Sequence, residues 1–110
     1  MKKPNEISVF KVQDETLDAS NSATFKVLLL QKIEEHPNLV LDLSATQFMD
    51  SSALGAILSG LRKANRSGGN LSVCELTKPV RALFELVRMH RVVTIFNDES
   101  EAKRAFGRAA

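Results

Sequence analysis

Leu39-Val40-Leu41-Asp42-Leu43-Ser44 leads, after a short polar break, into Phe48-Met49-Asp50-Ser51-Ser52-Ala53-Leu54-Gly55-Ala56-Ile57-Leu58-Ser59. The first string is apolar and rich in branched residues, long enough for a strand and too short for a helix of its own. In the second, Leu54, Ile57, Leu58 and Leu61 stand at i, i+3, i+4 and i+7, the spacing of one helix face. Asp50 and two serines stand directly before that face. Asp or Ser there signals a helix start, because a side-chain oxygen can accept from an otherwise unpaired backbone N–H. The stretch therefore reads strand, loop, capped helix, with the helix running from about Ser51 to Ala64. Asp50, Ser51 and Ser52 then have two readings. They cap the helix and do nothing else, or a serine hydroxyl at the positive end of the helix dipole is a regulated phosphoacceptor.

Outward from this unit, strands and helices alternate. Glu6–Val12 predicts a first strand, and Gln13–Thr16 is polar and turns. Ala23–Glu35 predicts a helix with Phe25, Leu28, Leu29 and Ile33 inward, closed by His36-Pro37 because proline disfavours helical backbone in the residue before it. Gly68-Gly69 ends the second helix and Asn70–Leu76 predicts a third strand. Thr77 can cap a third helix with Pro79 in its first turn, where a missing N–H costs nothing. Val80, Leu83, Phe84 and Val87 repeat the one-face spacing. Val92–Phe96 predicts a fourth strand, and Asn97 or Asp98 a cap for a last helix with Ala102, Ala105 and Phe106 inward. Alternation of this kind favours parallel neighbours joined by right-handed crossovers. The expectation is one α/β domain over residues 1–110, with its core at about 6–106. Leu54, Ile57, Leu58, Leu61, Val80, Leu83, Phe84 and Val87 are expected to be buried.

Composition narrows the function. At 110 residues, 44% apolar and 25% charged, the chain suits one globular core. No run of about twenty apolar residues suggests a membrane span, and the charged start Met1-Lys2-Lys3-Pro4-Asn5-Glu6 has no apolar segment of a signal peptide behind it. A cytoplasmic protein is expected. Trp and Tyr are absent, the net charge is only +2, and no nucleic-acid motif occurs. A single cysteine, Cys74, and two histidines, His36 and His90, offer no metal-ligand spacing. Ser51 lacks a G-x-S-x-G setting, and no glycine-rich phosphate loop follows the first strand. The residues thus point to a binding protein rather than an enzyme, with no cofactor and no metal.

The order of elements and the central string resemble the STAS domain, in particular the bacterial anti-sigma factor antagonists. The matching residues are Val40–Ser44, Phe48–Gly55, Gly68–Leu71 and Val80–Leu86, with Leu17-Asp18 resembling the family's loop before the first helix. The resemblance implies a STAS-like mixed sheet of four to five strands with about four helices packed mainly on one face. It implies partner switching: the antagonist binds an anti-sigma factor that is also a serine kinase, the kinase inactivates it by phosphorylating Ser51, and a serine phosphatase reverses the mark. Asp18, Asp50, Ser51 and Ser52 are the partner-binding residues so implied. The expected state is a monomer or weak dimer that contacts neither nucleic acid nor membrane. The alternative is a STAS scaffold subunit of a transporter or signalling complex, in which Ser51 is only a cap. Glu15 stands where many family members have glycine.

Overall fold

The structure, a computed structural model, describes residues 7–109, with side chains as far as Ala105. In chain order the elements are β1 (Ser8–Lys11), β2 (Thr16–Leu17), α1 (Ser22–Glu35), β3 (Asn38–Asp42), β4 (Phe48–Met49), α2 (Ser51–Arg66), β5 (Asn70–Cys74), α3 (Lys78–Leu86), a 3₁₀ turn (Met89–Arg91), β6 (Thr94–Phe96) and α4 (Glu99–Ala109). Four strands form one sheet in the order β1-β3-β5-β6. Every pairing among the described residues is parallel, with Ser8 opposite Leu39, Asn38 opposite Asn70 and Ser72 opposite Thr94. β2 and β4 form a separate parallel pair. The four strands and four helices are those expected, and the pairing is parallel throughout the described residues where a mixed sheet was implied. Glu6 and the side chain of Phe106, both named in the sequence reading, lie outside what is described.

Alternation along the central strands divides the interior in two. Leu39, Leu41, Leu71 and Val73 meet Phe25, Leu29 and Ile33 of α1, Ile57 and Leu61 of α2, and Val80 and Phe84 of α3 in one cluster. Val40 and Cys74 point the other way and meet Ala102 of α4, with Ile7, Val9 and Phe96 around them. Three helices thus cover one face and α4 covers the other. α4 starts with a reciprocal cap: the Asp98 carboxylate accepts from the Glu101 N–H at 2.8 Å, and Glu101 accepts from the Asn97 N–H at 2.9 Å.

Several expectations need correction. Val87 is 48% exposed and Leu28 41% exposed. The one-face spacing does not bury Val87, because α3 ends at Leu86 and the chain turns at Arg88, whose φ is +62°. Leu28 lies on a flank of α1 that nothing described covers. Leu58 and Leu83 are half-buried, packed against the core from outside. Thr77 occupies the N-cap position of α3, but its hydroxyl donates to the Thr46 carbonyl at 2.7 Å and makes no cap bond. The Gly68-Gly69 pair does more than end α2. Gly68 has φ +82°, and a Cβ on Gly69 would stand 2.2 Å from the Pro37 carbonyl oxygen, which accepts from the Asn70 N–H. Only glycine lets the chain entering β5 pass so close to the turn that enters β3.

Candidate functional site

Asp50 is the N-cap of α2. It has extended backbone, and its Oδ1 accepts from the Ser52 N–H at 2.9 Å, from the Ala53 N–H at 3.4 Å and from the Ser52 hydroxyl. Its other oxygen, Oδ2, accepts from the Ala19 N–H at 3.2 Å. One carboxylate thus joins the helix start to the loop before α1. That loop is also braced internally. Asp18 Oδ1 accepts from the Ser20 N–H and hydroxyl, while Asn21 Oδ1 accepts from the Asp18 N–H and Asn21 Nδ2 donates to the Thr16 carbonyl. The β2–β4 pair holds the two segments in register, extended by Asp50 N–H to Leu17 carbonyl at 3.1 Å and Gln47 N–H to Glu15 carbonyl at 2.8 Å. Glu15 holds this position without positive φ, so the absence of glycine there costs no backbone strain.

These contacts separate the two serines. Ser52 is half-buried and its hydroxyl is committed to Asp50. Ser51 is exposed, and its hydroxyl has no hydrogen-bond partner among the described residues. Capping belongs to Asp50, so the reading of Ser51 as a cap does not hold. The Ser52 hydroxyl bond, the leading cause, together with the backbone N–H donors, holds the Asp50 carboxyl below the usual carboxylate range, against an opposing desolvation effect. A lowered folded value means that the stability from this carboxylate is fully present above about pH 4, the unfolded range, and is lost as pH falls through the folded value. Asp50→Asn keeps a good cap but removes the charge. Its thermal midpoint is expected to fall less steeply than that of the wild type on acidification below about pH 4. Asp50→Ala is expected to lower the midpoint at neutral pH as well.

An apolar groove of about 370 Å³ opens beside this start, lined by Phe48, Met49, Pro79, Ala82, Leu83 and Leu86. Phe48 is 66% exposed and Leu86 79% exposed, unusual for side chains of this kind on a small domain. β4 leads from the groove straight to Asp50 and Ser51. The sequence reading included neither the groove nor the β2–β4 pair. A two-residue strand has too few positions to show a period, although an aromatic and a methionine inside a polar loop were a signal.

Cys74 is buried, and desolvation, helped by the nearby Asp42 and Glu75 charges, pushes its thiol up to about 12, away from a reactive thiolate. Among the described residues no three His, Cys, Asp or Glu side chains are placed to hold a metal ion, and no helix is long and apolar enough to cross a membrane.

Comparison with known proteins agrees with the architecture. The chain is 37% identical over 65 residues to an anti-sigma F factor antagonist of Paenibacillus polymyxa, an alignment covering 59% of this chain and 56% of that protein. The chain therefore spans little more than half the length of that relative. Its fold is similar to that of an anti-sigma-factor antagonist (STAS) domain protein from Planctomyces limnophilus, with a TM-score of 0.82 at 15% identity over 94% of this chain and 92% of the other. It is also similar to part of the murine Slc26a9 anion transporter, with a TM-score of 0.72 at 19% identity over 94% of this chain and 18% of the transporter. The model of the STAS domain matches residues 1–102, and the chain belongs to that family.

Proposed function

We propose that this protein is an anti-sigma factor antagonist. It binds a serine-kinase anti-sigma factor through the start of α2 and the loop before α1, and is switched off by phosphorylation of Ser51. A serine phosphatase restores it. The observation that carries this reading is the Ser51 hydroxyl, exposed and unbonded at the first position of α2, beside a neighbour whose hydroxyl is already engaged. A kinase reaches it without unfolding the domain. A phosphate there adds about 1.5 to 2 negative charges, which the helix N-terminus tolerates. The exposed groove of Phe48, Leu83 and Leu86 supplies adjoining apolar area for a docked partner. The protein acts as a binding partner and performs no catalysis itself.

The likeness to part of a transporter keeps a scaffold reading in view, in which Ser51 is never modified. Intact-mass measurement and phosphopeptide mapping after incubation with a serine-kinase anti-sigma factor and ATP separate the two. The expected result is one phosphate, on Ser51, and none on Ser51→Ala. Phosphate on Ser52 alone, or on neither serine with a kinase active on another antagonist, sinks the assignment. Ser51→Ala itself is expected to change stability by no more than about 0.5 kcal/mol, as for a surface residue without a partner.

A further inference from the structure

Well along α2 from Ser51, the groove between α1 and α2 is lined by Lys26, Leu30, Ser59, Arg62, Lys63, Arg66 and Ser67, and has a volume of about 490 Å³. Four of these seven side chains are cationic. Lys63 is neutralised by Glu34 at 2.7 Å. Lys26, Arg62 and Arg66 form no ion pair among the described residues. Cations in the last turn of a helix favour its dipole, which accounts for Lys63 and Arg66 alone. It does not account for Lys26, which comes from the other helix and faces the same groove. Three uncompensated positive charges in one concave surface raise the local potential and draw an anion of more than one charge.

The lining selects among anions. Arg62 and Arg66 are four residues apart, so their side chains start about 5–6 Å from each other on one helix face. Each guanidinium fork presents parallel donors that suit a phosphoryl oxygen pair, and Ser59 on the same helix and Ser67 just past its end add hydroxyls. Leu30 is the single apolar lining residue and no aromatic is present, so neither a nucleobase nor an acyl chain finds a platform. We propose that the α1–α2 groove is a binding site for clustered phosphoryl groups, recognised by Lys26, Arg62 and Arg66. The phosphoryl groups come from a soluble polyphosphate or from the headgroup of a lipid bearing two phosphates. The site is independent of the switch at Ser51.

The test is calorimetric titration of the full chain with tripolyphosphate at about 0.15 M salt, where weak surface attraction is screened, with citrate as a carboxylate control. One-to-one saturable binding is expected, weakened about tenfold or more in Arg62→Gln/Arg66→Gln, a loss that two charge-assisted contacts readily supply. Glutamine has a helix propensity close to that of arginine, and an unchanged circular dichroism spectrum and thermal midpoint verify the fold. Lys26→Gln should weaken binding in the same direction, and Ser51→Ala should not. Once tripolyphosphate binding is established, co-sedimentation of the ligand-free protein with phosphatidylcholine vesicles containing cardiolipin assigns the phosphoryl groups to a headgroup, and its absence assigns them to a soluble ligand. No saturable heat, equal binding by the double variant, equal binding of citrate, or vesicle binding without tripolyphosphate binding would each overturn the proposal.

Discussion

Ser51→Asp is expected to fold as the wild type does and to bind the proposed kinase partner roughly several hundredfold more weakly, a penalty of about 3–4 kcal/mol. Folding survives because a carboxylate suits the first turn of a helix, and because the Asp50 cap does not involve the Ser51 side chain. Binding fails for a different reason. The new charge would be buried unpaired beside Asp50 inside a docked surface, where lost hydration and the strengthened repulsion between the two carboxylates oppose binding, and desolvating an unpaired ion costs several kcal/mol. Calorimetry or surface plasmon resonance with the kinase reads the affinity, and a thermal scan reads the fold. Unaltered affinity in a folded variant would remove the start of α2 from the interface. Leu86→Ala should weaken the complex too, less strongly, by removing apolar contact area from the groove. Reversing the charge at Asp18 is a poorer test, since that carboxylate organises its own loop through Ser20 and the variant would change shape as well as charge.

The largest expected loss of stability is at Phe84. Its side chain is fully buried where α3 meets the main core. Phe84→Ala should cost about 3–5 kcal/mol through lost transfer energy and the cavity left behind. A domain of this size has about 5–15 kcal/mol in total, so the variant stands near the edge of folding. Leu58→Ala, at a half-buried position, should fall at the bottom of the 2–5 kcal/mol range usual for leucine. Denaturant midpoints compare the two directly. A larger loss at Leu58 than at Phe84 would contradict the packing described for α2 and α3.

How far the sequence could be read depended on length of pattern. α2 carries buried positions through four turns, at Leu54, Ile57, Leu61 and Ala64, and its start is marked by Asp50, so helix and cap were both legible. The central strands were legible for a similar reason, since Leu39–Leu43 and Leu71–Cys74 are buried on both faces and read as apolar runs broken only by Asp42 and Ser72. α1 was harder. Val27, Leu28 and Leu30 widen its apolar arc beyond Phe25, Leu29 and Ile33, so periodicity could not tell buried Leu29 from exposed Leu28. At the candidate site, Asp50 and Ser51 were legible as a pair, but their division of labour was not. That Ser52 and not Ser51 donates to the Asp50 cap is a side-chain choice within one turn, and that Oδ2 reaches across to Ala19 is a contact 31 residues apart in sequence. The apolar groove was not legible because Phe48 on β4 and Leu86 on α3 are distant in sequence and come together only in the fold.

The pairing of the sheet also bears on how fast this chain reaches its native state. Ser8 must find Leu39, Asn38 must find Asn70 and Ser72 must find Thr94, with a crossover helix or turn between each pair. No pairing among the described strands is a local hairpin, so no strand pair forms in the few microseconds a hairpin takes. Loop-closure entropy has to be met before any strand contact offsets it. Folding is therefore expected in milliseconds or slower, in the range of domains rich in distant contacts. The barrier is expected where α1 and α2 pack together over the β3–β5 pair, where the largest share of the core is assembled. Stopped-flow refolding of Ile57→Ala and Ala102→Gly locates that barrier. A slowed refolding limb is expected for the first and a faster unfolding limb for the second, because α4 closes the opposite face of the sheet last.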